Sequence, residues 1–242
     1  MKKIIAAALT FIMILSVCAC GGGSGAAAED PSKKSEGVMT YGEYAAADID
    51  AAVVIETYVQ AKRSWYNDTA TLYTQDGDGA YFIYNAVCSE ADYAKLVEGQ
   101  KIKVTGYKAE WAGEVEIAEG ATIEIEEGNW IAPTIDLTAS LGDEEALKSH
   151  MNQKVVFKGL TVSAAPMYNW DGSGANGDDI YFGVSNGSAE ATFVMQRYLT
   201  SSDSAPYKAA EALTVGQTID VEGYLYWYEG VQPHITAITV VG

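Results

Sequence analysis

Histidine is nearly missing from this chain, with two in 242 residues, and cysteine and proline are scarce, at three and five. His150 and His234 stand far apart, and no Cys-x-x-Cys or His-x-x-x-His pair occurs, which excludes the ligand spacings of zinc sites. Cys18 and Cys20 fall in the N-terminal segment, so Cys88 stands alone and no disulfide framework forms. It reads as a small buried residue. No Gly-x-Ser-x-Gly elbow appears, and Gly172-Ser173-Gly174 lacks the lysine of a phosphate loop. These absences point to a protein that is not an enzyme and uses no cofactor. Positive charge is also short: 15 Lys and Arg against 33 Asp and Glu give a net charge of −18. Binding of phosphate backbones rests on Lys and Arg displacing counterions, so nucleic acid is disfavoured as a partner. Lys101, Lys103 and Lys108 alternate along one strand, but Glu98, Glu110, Glu114 and Glu116 surround them.

The N-terminus is an address. Lys2 and Lys3 precede an apolar run from Ile4 to Val17, shorter than the ~20 residues that span a bilayer and typical of a signal segment. The following Val17-Cys18-Ala19-Cys20-Gly21 resembles the lipobox of bacterial lipoproteins. The resemblance implies cleavage before Cys20, a lipid on its sulfur, and a protein held outside the cytoplasm on the bacterial cell membrane. Gly, Ser, Ala and charged residues then dominate to residue 37, as in a flexible tether. The division expected is a signal peptide over 1–19, lipidated Cys20 and tether over 20–39, and two domains over 40–128 and 129–242.

Those two domains repeat one motif. Leu96-Val97-Glu98-Gly99-Gln100-Lys101-Ile102-Lys103-Val104-Thr105-Gly106-Tyr107 recurs as Leu213-Thr214-Val215-Gly216-Gln217-Thr218-Ile219-Asp220-Val221-Glu222-Gly223-Tyr224. Each copy reads as a turn and a strand, with a glycine where the strand bends or meets another backbone closely. Val53-Val54-Ile55 and Val155-Val156-Phe157 supply matching first strands. Asp76-Gly77-Asp78-Gly79 marks a hairpin between the second and third strands. Ser89 and Ser204 are placed to cap short helices, the second with Pro206 in its first turn, and Asp143 to Leu147 forms a third. The last pairing strands are expected over Ile219–Tyr226 and Ile235–Val241.

Three strands, a helix and two strands form the element order of an OB-fold. The chain resembles the OB-fold lipoproteins of bacteria through DGAYFIYN (78–85) and GQKIKVTGYKAEWAGEVEI (99–117). That resemblance implies an all-β chain with short helices, built as two tandem five-stranded Greek-key barrels. An SH3-like barrel or half of a sandwich fits the same strands.

OB barrels bind on strands 2 and 3 and on the loops joining strands 1–2 and 4–5. All four such loops are aromatic here: Trp65 and Tyr66, Trp111, Tyr168 and Trp170, and Tyr226, Trp227 and Tyr228. Such rings offer rigid stacking faces, with Asp68, Asn169, Asp171 and Glu229 beside them as acceptors for sugar hydroxyls. Equally, Trp65 against Trp111 and Trp170 against Trp227 close the barrel ends. Asp76 and Asp78 straddle a glycine as hairpin chemistry requires, and Asp171, Asp178 and Asp179 crowd one loop as calcium candidates, without the spacing of a full calcium loop. The readings are a non-enzymatic surface module for a glycan or peptide, a structural module docking an envelope protein, and a single-stranded nucleic-acid binder.

Cys20→Ala is expected to abolish incorporation of a labelled lipid precursor and to release the protein or leave an uncleaved precursor. Labelling that survives this change moves the acceptor to Cys18 or ends the lipoprotein reading.

Overall fold

The computed structural model describes residues 30–241. Cys20 and the signal segment lie outside them. The first barrel contains β1 (Ala52–Lys62), β2 (Thr69–Gln75), β3 (Ala80–Val87), β4 (Gln100–Trp111), β5 (Glu114–Ile117) and β6 (Thr122–Asn129). β5 and β6 act as one interrupted strand, both antiparallel to β4. The order β1-β2-β3-β5-β4 closes through β1–β4 pairing, with β3 parallel to β5. A short helix, α2 (Glu90–Tyr93), sits between the third and fourth strands, with Ser89 accepting from the Asp92 backbone N–H. Another, α1 (Tyr41–Ala46), precedes β1 behind a Thr40/Glu43 capping box.

The second barrel repeats this order. β8 (Lys154–Tyr168), β9 (Ile180–Ser185), β10 (Glu190–Met195), α4 (Ala205–Glu211), β11 (Thr218–Tyr224) and β12 (His234–Val240) are its strands and helix. The ring β8-β9-β10-β12-β11 closes through β11–β8. The short β7 (Ile135–Asp136) and α3 (Glu144–Lys148) lead in, the latter capped by Asp143. Both units are OB-fold-like. β11 ends at Tyr224 rather than Tyr226, because Leu225 turns back to pair its N–H with the Gln153 carbonyl.

The sequence repeat is a repeat of register. Gly106 lies opposite Val53, and Gly223 opposite Val155. A Cβ at Gly106 would stand 2.8 Å from Ala121 Cβ and Ile117 Cγ2; one at Gly223 would stand 2.3 Å from the His234 carbonyl oxygen. The close approach expected at both glycines is present.

Leu72 and Ile83, paired across β2–β3, point into the first core with Ile55, Val104 and Ile117. Their neighbours Tyr73 and Phe82, also paired, point the other way, yet are 0% and 1% exposed. A strand buried on both faces requires a second layer, and the second barrel supplies it.

The tether ends earlier than residue 39. Lys34 donates to Asp76 Oδ2 at 2.5 Å and to the Glu56 carbonyl at 2.9 Å, and the Met39 N–H donates to the Val54 carbonyl. The acceptor Asp76 is fully buried, and its other oxygen takes the N–H groups of Asp78 and Gly79. A lysine in the low-complexity stretch thus meets the buried charge of the hairpin turn, a pairing that composition does not show.

Gly223→Val is expected to destabilise more than Gly106→Val, because the new Cβ at 223 would stand 2.3 Å from the His234 carbonyl oxygen, whereas at 106 the nearest atoms are methyl groups of Ala121 and Ile117 at 2.8 Å. Overpacking costs typically ~1–3 kcal/mol, and thermal unfolding of the two variants would show the order. Equal midpoints would contradict it.

Candidate functional site

The second barrel docks on the β2–β3 face of the first. Tyr73 and Phe82 form an aromatic cluster with Tyr224 and Tyr226, with ring centroids 4.8 Å apart for Tyr73–Tyr224 and 5.2 Å for Phe82–Tyr226. Such pairs contribute ~0.5–1.5 kcal/mol each beyond area burial. Tyr226 also stacks on His234 at 4.1 Å. Polar bonds order the contact. The Tyr224 hydroxyl donates to the Gln60 carbonyl at 2.9 Å, the Ser64 N–H to the Tyr198 carbonyl at 2.6 Å, and the Glu229 N–H to the Ala112 carbonyl at 2.7 Å.

A chain of hydrogen bonds crosses this contact. Arg63 Nη2 donates to the Tyr73 hydroxyl at 3.3 Å, and that hydroxyl lies 2.6 Å from His234 Nδ1. Burial, and then the Arg63 charge, hold the His234 pKa well below its ordinary value, so the ring is neutral. The guanidinium of Arg63 lies 5.1 Å from the Phe82 ring centroid.

Beside the contact lies a cavity of 410 Å³. Arg63, Tyr84, Trp111 and Glu116 line it from the first barrel. Asp179, Tyr181, Val194, Gln196, Tyr226, Gln232 and His234 line it from the second. Side chains two apart on a strand share a face, which explains Tyr84 beside Phe82 on β3. Tyr181 and Val194, paired across β9–β10, are the equivalent outward positions of the second barrel. The outward faces of the second and third strands of both units therefore converge on one space. Two further hollows adjoin it. One, of 420 Å³, shares Arg63 and Tyr84 and reaches Tyr66 and Tyr198. The other, of 390 Å³, shares Tyr181 and Gln232 and reaches Trp170, Tyr228 and Glu229. Together they form a groove with exposed rings along it.

The aromatic residues singled out in the sequence divide. Trp111, Trp170 and Tyr66 are 63%, 75% and 79% exposed. With Tyr226 and Tyr228, they border the groove. Trp65 is half-buried, with its indole N–H fixed to the Cys88 carbonyl at 2.9 Å. Tyr168 lies in a separate small hollow and donates to Glu211. Trp227 is a correction: it is 3% exposed and part of the second core, and its indole edge covers Gly113, so no face is left for a ligand. Neither proposed lid pair describes these residues, since Trp111 and Trp170 are both exposed.

The calcium candidates Asp171, Asp178 and Asp179 and two of the alternating lysines, Lys101 and Lys108, are engaged by neighbouring groups. Among the described residues, no group of three or more His, Cys, Asp or Glu side chains could hold a metal. Asp171 accepts from the Ser173 N–H, Asp178 pairs with Arg197 at 2.6 Å, and Asp179 accepts from the Arg197 N–H. Lys108 is buried and donates to the carbonyls of Tyr44, Ala45 and Ala47 at the end of α1. Lys101 lies 3.4 Å from Glu56 and 3.7 Å from Glu126. The alternating lysines of β4 therefore do not make a basic track.

Two buried carboxyls sit where the barrels meet. Burial raises the Glu114 pKa to about 8, with the Glu116 charge adding to it and Asn152 and the Trp227 N–H opposing. Burial raises Glu116 to about 7, against the pull of Arg63. The ordinary value is 4.5. A carboxyl whose pKa is raised by folding binds more protons folded than unfolded, so its contribution is full below pH 4.5 and is lost as pH rises through about 7–8. The sequence marked Glu114 and Glu116 only as acidic neighbours of the alternating lysines. Arg63, Tyr84, Tyr181, Gln196 and Gln232 were likewise not singled out, and Asp179 was singled out only as a calcium candidate; adjacency to the predicted aromatic loops is the one signal that could have found Arg63.

The melting temperature should therefore fall between about pH 5 and pH 8, and Glu114→Gln should flatten much of that decline. A wild-type profile that rises across this range, or a Glu114→Gln profile of unchanged slope, would contradict the assignment.

No family model matches the sequence, and no curated protein does. Among solved structures, the chain is similar to the tetrameric p202 HIN2 domain, at TM-score 0.34 and 10% identity over 81% of this chain and 96% of that one. It is similar to the Ifi202 HINa domain in complex with 20 bp double-stranded DNA, at 0.35 and 13% over 79% and 98%. It is also similar to a deletion mutant of the single-stranded DNA-binding protein from Thermus aquaticus, at 0.23 and 16% over 78% and 92%. Likeness at this level carries no argument about ligand, and the OB-fold-like description rests on the strand order above.

Proposed function

We propose that this protein is a lipid-anchored binding protein outside the cytoplasm, whose two barrels together hold a neutral oligosaccharide in the groove between them. The anchor follows from the lipobox-like run ending at Cys20. The binding role rests on one observation: the outward faces of both barrels meet at a 410 Å³ cavity that continues into two hollows bordered by exposed tryptophan and tyrosine. Sugar-binding sites need flat apolar faces for the C–H side of a ring and polar groups at its edge. Trp111, Trp170 and Tyr228 provide the faces; Glu116, Asp179, Gln196 and Gln232 provide the edge groups. The net charge of −18 and acidic lining disfavour a polyphosphate ligand.

Trp111→Ala and Trp170→Ala should each leave stability within ~0.5 kcal/mol of wild type, as exposed substitutions do. By analogy with stacking of bases on aromatic residues, each should weaken oligosaccharide binding by ~1–3 kcal/mol. Screening the full chain on a glycan array, followed by titration of the best binder against both variants, tests this. Tight, salt-sensitive binding of single-stranded DNA with no glycan bound would replace the saccharide reading by a nucleic-acid one.

A further inference from the structure

The wall of the central cavity carries a carboxyl that the protein leaves unsatisfied. Glu116 is 8% exposed. It pairs with Phe82 across β5–β3 and with Ala109 across β5–β4. Paired residues on neighbouring strands point to one face, so its side chain leaves the first barrel beside Phe82, toward the second, and the small Ala109 does not cover it. Among the described residues its carboxyl forms no hydrogen bond and no ion pair, and the Arg63 charge acts on it from beyond ion-pair contact. Glu114 Oε1 is sealed from water without a partner, but neither oxygen of Glu116 is. Both therefore touch open space, and the space that Glu116 lines is the 410 Å³ cavity. Resting on the saccharide reading above, we infer that Glu116 accepts hydroxyl hydrogens of the bound sugar as a carboxylate, so that binding expels its proton to solvent and the groove fills more readily as pH rises.

An unmet buried polar group in a native structure calls for an explanation. In the empty cavity burial favours the neutral acid and raises the Glu116 pKa to about 7. The ionised form accepts on both oxygens, and hydrogen bonds to it are roughly twice as strong as those to a neutral acceptor. Hydroxyl contacts therefore favour the carboxylate. By linkage, affinity rises with pH until the empty site is itself ionised, above about 7. A hydroxyl brings a hydrogen without a charge, so it can meet Glu116 while Arg63 lines the same cavity. Asp179 shares the wall, but one of its oxygens already accepts from the Arg197 N–H. The other groups around Glu116 do not mimic this response. His234 on β12 is neutral, and burial raises the phenols of Tyr44 on α1, Tyr181 on β9 and Tyr226 after β11. The rings of Tyr84 on β3 and Trp111 on β4 complete the first barrel's wall. Glu114, two residues back on β5, acts in the opposite direction: its ionisation weakens the join as pH rises and by itself would loosen binding.

Calorimetric titration of the full chain in detergent, at about pH 5.5 and about pH 8 and in two buffers of different ionisation heat, tests this. The probes are β-1,4-linked hexamers of glucose, of mannose and of glucosamine with its amines free. Wild type should bind a neutral hexamer about ten-fold more tightly at the higher pH, the effect of lowering one pKa by about one unit, and should release a fraction of a proton between the two values. Glu116→Gln, an amide in place of the neutral acid, should bind with the same affinity at both pH values and release no proton. Affinity that is flat or falls with pH, or proton release that survives in Glu116→Gln, overturns the inference and leaves the saccharide groove standing. Tightest binding of the glucosamine hexamer would give the carboxylate to a cation and also defeats it. Binding of none of the three overturns it, and an empty glycan array beside that result overturns the saccharide reading as well. The sign of the wild-type dependence decides the matter even if Glu116→Gln fails to fold.

Discussion

The interlock of Tyr73 and Phe82 with Tyr224, Tyr226 and His234 is the contact on which the rest of the molecule depends. It covers the outer face of β2–β3, which would otherwise expose two large rings. It places Arg63 between the barrels, and it brings β3 of one unit to the cavity shared with β9 and β10 of the other. The polar atoms at its centre are arranged in series, arginine to phenol to neutral imidazole. Removing one member would leave the others unmatched, and an unmatched buried polar group is costly.

The barrels were legible in the sequence because their determinants are local. Capping serines, the Asp-Gly hairpin, alternating apolar strands and the repeated glycines each act over a few residues, and all appear where expected. The groove was only half legible. Tyr107 and Tyr224 occupy the same place in the repeat, yet one is 61% exposed and the other 3%. The reason is that different surfaces of the two units meet, so equivalent residues face unequal surroundings. Such docking is heterologous in the sense used for subunits, and a repeat motif carries no mark of it.

The acidity of the chain acquires a second meaning in the folded protein. Most carboxylates are solvated, as the net charge of −18 would suggest. Glu114 is completely buried, however, and holds the Trp227 N–H at 2.9 Å from across the barrel contact. Burial favours its neutral form, and a neutral acid can donate as well as accept. Two glutamates two residues apart on a short strand thus serve the join between units and the wall of the cavity, roles that neither their charge nor their spacing distinguishes from ordinary surface residues.

Gly113 sits under the Trp227 indole, where an added Cβ would come within 2.8 Å of the ring, whereas its counterpart in the second copy, Gly230, has open space around it. This small gap has an evolutionary consequence. While two duplicated units are separate, each can accept substitutions independently, and either can be lost or exchanged. Once a tryptophan of one copy lies in a notch of the other, the histories of positions 113 and 227 are joined. A chain carrying two first copies, or two second copies, would lack either the notch or the ring that fills it. Homologous chains should therefore keep both units, in this order, and vary at these two positions together.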